Sequence, residues 1–221
     1  MRGNIEMGIR IKWLSHASFQ IKVEDKIVYI DLEKGSEILE KGDLILVTHS
    51  HFDHCDISKI DNASKDETLI IAPENCLKKI KGNTKALKVG EESIFESIRI
   101  KAVDAYNYKR FRTPGNPYHP KGLGVGYLIT VQDKIIYHAG DTDFIPEMKE
   151  LGPVDLALLP SGGTYTMDNA EAAEATLAIK PKVVIPMHRW DTNPEEFRSE
   201  VEKHSNTKVE LLTKNQYVEL G

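Results

Sequence analysis

The densest chemistry in this chain lies in Thr48-His49-Ser50-His51-Phe52-Asp53-His54, where four potential metal ligands fall within six residues. They follow Asp43-Leu-Ile-Leu-Val-Thr48, a nearly continuous apolar run of the kind that forms a strand covered on both faces. His49 and His51 are two apart, so on an extended chain both imidazoles point to the same side. Asp53 and His54 fall where the chain turns toward a helix and can reach a point a few ångströms away. One segment can thus supply two neighbouring cation positions. Imidazole with carboxylate suits zinc, manganese or iron, and the lack of thiolates counts against a purely structural zinc site. A single histidine at a strand end is usually just hydrogen-bonded. Three of them with an aspartate at this spacing point to a metal centre.

His-x-His-x-Asp-His after a buried strand resembles the hallmark of the metallo-β-lactamase superfamily. Tyr137-His-Ala-Gly-Asp141-Thr-Asp143 is similar to that superfamily's Gly-Asp segment, and Ile185-Pro-Met-His188 to its last metal-binding histidine. Trp13-Leu-Ser-His16-Ala-Ser-Phe19 resembles the start of the branch containing ascorbate-phosphate lactonase and the phospholipase D that acts on N-acylethanolamine lipids. The resemblance runs from residue 9 to beyond residue 188. It implies an α/β protein of αββα sandwich form, with two mixed sheets face to face and helices outside. It also implies a hydrolase holding one or two divalent ions, with zinc first and manganese or iron as alternatives. The implied ligands are His49, His51, Asp53, His54, Asp141 and His188, with Asp141 bridging. Such ions lower the pKa of a bound water from about 15.7 toward roughly 7. Asp53 and Asp141 are the expected catalytic carboxylates, Asp53 as ligand and proton shuttle.

This chain departs from the superfamily at one ligand. Where another histidine is usual between the cluster and the aspartate, the strand end reads Ala102-Val-Asp-Ala-Tyr-Asn107. His119 is the sole histidine between His54 and His138. Either His119 swings in, or Asn107 or water replaces the ligand, or one position is weak. The segment Tyr106-Asn-Tyr-Lys-Arg-Phe-Arg112 carries three positive charges and three aromatics. By resemblance it lies near the substrate entrance. Asn107, Lys109, Arg110 and Arg112 are therefore candidate substrate contacts, the cations suiting phosphate or carboxylate, or else a solvated charge run. His16 is a candidate contact to substrate or to the carboxylates around the metals. His138, one step before a turn, reads as a buried, hydrogen-bonded residue, and Cys55 as a packing residue. Ser161-Gly-Gly-Thr164 could offer N–H groups to an oxyanion or be only a tight turn.

The elements that must position these residues fall into two groups. Ile9–Leu14, Phe19–Val23 and Ile27–Ile30 read as an antiparallel meander, followed by the buried strand 43–48. Thr68–Ala72 is a strand, and Pro73 can open a short helix through Ile80. Ser93–Val103 holds one or two strands, and residues 105–123 read as one long loop, a length usually functional or mobile. Val125–Val131 and Lys134–His138 form a hairpin. Asp155–Leu159 and Lys182–Met187 are buried strands. Between them Asp168 caps an Ala-rich helix with Glu171 as its capping-box partner. Pro194 opens a last helix, and short strands near Val209–Leu212 and Tyr217–Leu220 close the chain. Two meanders that each end in βα units suggest two packed sheets with outer helices.

The 221 residues fit one domain, with residues 1–7 a dispensable extension. Charge is 29 basic against 34 acidic, net −5, which argues against wrapping nucleic acid. The expected partner is a small, anionic molecule. A nuclease of the same superfamily and a non-catalytic metal-binding protein are the alternatives. Two cysteines make no disulfide framework, no apolar stretch reaches the roughly 18 residues of a membrane span, and no signal peptide is evident. A cytoplasmic protein is expected, and nothing here sets an oligomeric state.

Overall fold

The computed structural model describes residues 8–221. The expected dispensable extension, residues 1–7, lies outside them. The first sheet contains β1 (Ile9–Ser15), β2 (Ser18–Val23), β3 (Lys26–Ile30), β4 (Leu44–Leu46), β5 (Leu69–Ala72), β6 (Asn83–Ala86) and the C-terminal β16 (Tyr217–Leu220). Its order is β16-β1-β2-β3-β4-β5-β6, antiparallel as far as β3 and parallel from there. The second holds β7 (Glu92–Phe95), β8 (Ile98–Ala105), β11 (Gly124–Val131), β12 (Lys134–His138), β13 (Leu156–Pro160), β14 (Val183–Met187) and β15 (Lys208–Val209). Its order is β15-β14-β13-β12-β11-β8-β7, again half antiparallel and half parallel. A small hairpin, β9 (Phe111–Thr113) with β10 (Asn116–Pro117), stands apart.

Alternation along the buried strands makes the layers. In β4, Leu44 and Leu46 join a core shared by both sheets, while Ile45 joins a second cluster outside the first sheet. In β13, Leu156 and Leu158 enter the shared core, while Ala157 and Leu159 pack outward. Successive strand side chains point to opposite faces, so a strand apolar at every position must be covered twice. The outer covers are α1 (Ile57–Ala63) and α2 (Glu74–Leu77) on one side, and α3 (Asn169–Ile179) and α4 (Pro194–His204) on the other. This is the αββα sandwich expected.

Several elements differ from the expectation. The helix after Pro73 ends at Leu77 rather than Ile80. β6, Asn-Thr-Lys-Ala, shows no apolar pattern because it is a half-exposed edge strand defined by its pairing with β5. The stretch 105–123 is not structureless, since it contains the β9–β10 hairpin. Asp168 caps α3 by accepting from the Glu171 N–H at 2.9 Å, but the Glu171 carboxylate pairs with Lys109 and Arg110 instead of closing the expected capping box. Among the described residues, no helix is long and apolar enough to cross a membrane.

The same device opens the parallel half of each sheet. Asp43, just before β4, accepts from Ile27 N at 2.8 Å and Lys65 Nζ at 2.6 Å. Asp155, just before β13, accepts from Ile135 N at 2.8 Å and Lys182 Nζ at 2.7 Å. In each case the carboxylate ties the new strand to the one before it. β1, β3 and β4 then end at one edge of the sandwich, and β8, β12, β13 and β14 at the same edge. Residues just past those ends converge there.

Candidate metal centre

His49 and His51 follow β4, and Asp53 and His54 sit in the turn before α1. Asp141 follows β12 and His188 follows β14. Asp141 stands at the middle. Its Oδ2 lies 3.1 Å from His188 Nε2, 3.2 Å from His119 Nε2 and 3.9 Å from His49 Nε2, and its Oδ1 lies 3.3 Å from His54 Nε2. His119 therefore faces the cluster, which is the first of the three readings of the absent histidine.

Hydrogen bonds behind the rings fix which nitrogen faces inward. Asp31 Oδ2 lies 2.8 Å from His54 Nδ1, so this nitrogen donates and Nε2 is left bare. Asn107 Oδ1 takes the Nδ1–H of His119 at 2.7 Å. Thr48 Oγ1 donates to Asp31 Oδ2 at 2.6 Å and so accepts from His49 Nδ1 at 3.0 Å. In the neutral rings, Nε2 of His49, His54 and His119 is thus left without a proton and turned toward the others. His51 Nδ1 lies 3.1 Å from His49 Nε2 and 3.2 Å from His119 Nε2. Lone pairs at such separations repel unless a proton or a cation lies between them. The potential ligand atoms of His49, His51 and His119 lie within 4.8 Å of one another, as do those of His16, Asp53, His54 and His188. The buried His16 Nε2, His54 Nε2 and Asp141 Oδ1 have no hydrogen-bond partner. Buried polar atoms are rarely left so, and the donor set fits divalent ions such as zinc.

Electrostatics agree for Asp141, His49 and His51. Burial alone would raise the Asp141 carboxyl, but His188, His54 and His119 outweigh it and hold it well below the carboxylate range. His54 differs: burial would lower it, but Asp141 and Asp31 push it well above the ordinary imidazole value, so a cation at Nε2 must displace a proton there. Burial, reinforced by neighbouring imidazoles, holds His49 and His51 down, so neutral rings suited to ligation result. Asp53 would also rise on burial, yet His16 and His54 bring it down to about 2.

The cluster forms the floor of an open cavity of about 570 Å³ walled by Phe52, Arg112, Tyr118, Tyr165 and Trp190. Arg112 lies over the Tyr118 ring at 5.3 Å. The other predicted substrate contacts are elsewhere. Asn107 is buried, its Nδ2 donating to Asp143 and to the Tyr165 carbonyl while its Oδ1 holds His119. Arg110 is spent on Asp143 at 2.7 Å and Glu171 at 2.5 Å, and Lys109 on Glu171 at 2.6 Å. These bonds fold the loop that delivers His119, and none of the three lines the cavity above the cluster. His16 lies beneath Trp190 and His188, off the cavity wall. His138 is buried and donates to the Ala17 carbonyl at 2.9 Å, as expected. Ser161–Thr164 is a tight turn whose Gly162 passes against the His188 carbonyl, where a Cβ would overlap that oxygen.

Sequence reasoning missed Asp31 and the aromatic wall. Asp31 is fully buried at the end of the apolar β3, with φ 51°. A buried aspartate ending an apolar strand was the available signal. A second cavity, about 160 Å³ and lined by Val103, Leu128, Tyr137 and Met148 among others, contains none of the cluster.

Residues 10–188 match the model of the β-lactamase superfamily domain. A UPF0173 metal-dependent hydrolase of Pelotomaculum thermopropionicum is 31% identical over 230 residues, covering 96% of this chain and all of the relative. A crystal structure assigned to a metal-dependent hydrolase of Parabacteroides distasonis superposes with TM-score 0.85 at 35% identity, covering 92% of each chain. Igni18, a metallo hydrolase from Ignicoccus hospitalis, superposes with TM-score 0.81 at 26% identity, covering 97% of this chain and 99% of that one. The chain belongs to the metallo-β-lactamase superfamily, within its UPF0173 family of metal-dependent hydrolases.

Proposed function

We propose that the chain hydrolyses a small anionic ester, lactone or phosphoester with water activated by two divalent ions, zinc being the first choice. The observation that carries this reading is the meeting of ring nitrogens beside Asp141, where His51 Nδ1 lies 3.1 Å from His49 Nε2 and 3.2 Å from His119 Nε2. His49, His51 and His119 would hold one ion, and Asp53, His54 and His188 the other, with Asp141 between. Bound there, such ions acidify water and polarise the substrate oxygen.

The chain's own residues do the rest. Asp31, Thr48 and Asn107 keep the ligand rings in one orientation, as groups behind metal ligands generally do. Asp53 lines the cavity and stays ionised through the neutral range, so it can accept a hydrogen bond from the attacking water. As the water oxygen bonds to the substrate, Asp53 would take the proton it releases and give it to the leaving oxygen as the scissile bond breaks. Arg112 supplies the cation at the mouth that would seat the substrate's anionic group. Phe52, 83% exposed, and Trp190, 55% exposed, flank the entrance and shield the bond from bulk water. The cavity volume falls in the range of small-molecule sites, and the free Cys55 and Cys76 suit a cytoplasmic setting.

The test is hydrolysis of a panel of lactones, phosphodiesters and carboxylate-bearing aryl esters by zinc-loaded and chelated protein. Turnover should vanish on chelation and return with metal. Undiminished turnover by the chelated protein refutes the reading.

A further inference from the structure

We propose that His16 is itself a metal ligand, the fourth side chain of the position formed by Asp53, His54 and His188. This rests on the reading that the cluster holds two cations. Four observations lead to it. The candidate ligand atoms of these four residues lie within 4.8 Å of one another. His16 Nε2 is buried without a hydrogen-bond partner, and it sits 3.4 Å from Asp53 Oδ2, long for a hydrogen bond. His54 Nε2 faces the same group and is equally unpartnered. Finally, His16 does not line the substrate cavity, because Trp190 packs edge-on to it at 4.8 Å and His188 tilts over it at 3.9 Å. A group off the cavity wall, with an unpartnered nitrogen among three candidate ligands, is placed to coordinate.

The backbone is built to hold it there. His16 occupies the β1–β2 turn at φ 46°, a left-handed conformation unusual for a side chain larger than glycine. Its carbonyl accepts from the Trp13 indole N–H at 2.9 Å and from the His188 N–H at 3.1 Å. His188 is also left-handed, at φ 49°. The two residues are thus locked together by main-chain hydrogen bonding and by ring contact. Strained residues kept in this way cluster at functional sites. The consequence is two unequal positions. One offers three imidazoles, and the other offers three imidazoles with its own carboxylate. The second should bind the first equivalent of metal more tightly.

The competing role is a hydrogen bond that merely positions Asp53. Cobalt(II) separates the two. Wild type, His16→Ala, His16→Gln and His16→Cys would each be titrated with cobalt, with dissociation constants, ions per chain and electronic spectra recorded. Circular dichroism would check the fold of each. A ligand role predicts that both Ala and Gln weaken the tighter equivalent beyond the roughly 10–100-fold cost of losing a partner behind the ligand. It also predicts that Cys produces a thiolate-to-cobalt charge-transfer band absent from wild type. If His16→Gln retains both ions at wild-type affinity, or folded His16→Cys binds cobalt without the band, the assignment is overturned while the two-metal reading stands. Failure of wild type to bind cobalt overturns both.

Discussion

Asp31 belongs to none of the candidate ligand groups, yet it takes the Nδ1–H of His54 and both donors of Thr48, the N–H at 2.7 Å and the hydroxyl at 2.6 Å. Asp31→Asn should therefore weaken metal binding by about 10–100-fold while leaving the ligand side chains in place, measurable by isothermal titration with zinc. Arg112 makes a different prediction. Arg112→Gln should raise KM for an anionic ester by about tenfold, or ~1.4 kcal/mol, with kcat little changed, because it removes binding common to ground and transition states. A neutral ester should show no such rise. The cluster itself was legible because His49, His51, Asp53 and His54 are adjacent in sequence. Which cation in the 106–112 loop faces substrate was not. Lys109, Arg110 and Arg112 look alike in sequence and differ only in which carboxylates, Glu171 and Asp143, the fold brings beside them. His119 was open for a similar reason, since its direction is set by Asn107, twelve residues away.

The ligands arrive on elements that tolerate little movement. Gly162 in the turn after β13 lies against the His188 carbonyl, and Gly124 at the start of β11 leaves only 2.6 Å between an added Cβ and His49 Cβ. Gly162→Ala should push the His188 segment aside, lowering stability by about 1–3 kcal/mol and releasing metal from the Asp53, His54 and His188 position. Thermal melts with and without zinc would show a lower Tm and a smaller zinc-induced rise. Each sheet also carries its strand-opening aspartate. Burial alone would raise the Asp155 carboxyl, but Lys182 and the Ile135 N–H outweigh it and hold it below its ordinary 3.8. The folded state thus binds fewer protons than the unfolded one in this window. The stabilisation is full above that ordinary value and is lost as pH falls through the folded value. Denaturant melts of wild type and Asp155→Asn should differ by a constant amount above about pH 5 and converge in acid. A gap that widens as pH falls would contradict this. β4, β13 and β14 were readable as doubly covered strands from their apolar runs, whereas β6 was not, because an edge strand with polar residues carries no pattern of its own.

Across the whole molecule, two half-antiparallel, half-parallel sheets share one core and end their site-bearing strands at a common edge. That arrangement lets residues as far apart in sequence as His16, Asp141 and His188 meet within a few ångströms. Composition alone indicated no chemistry, while three short motifs carried the family. The relatives and solved structures match over nearly the full chain, 96% and 92% of it in two cases. The most direct measurement is zinc analysis of the metal-free chain after titration and desalting, on wild type and Asp141→Asn. Two retained ions per wild-type chain and fewer in the variant are expected. A wild-type chain that retains none, or a variant that retains as many, would contradict a centre organised around Asp141.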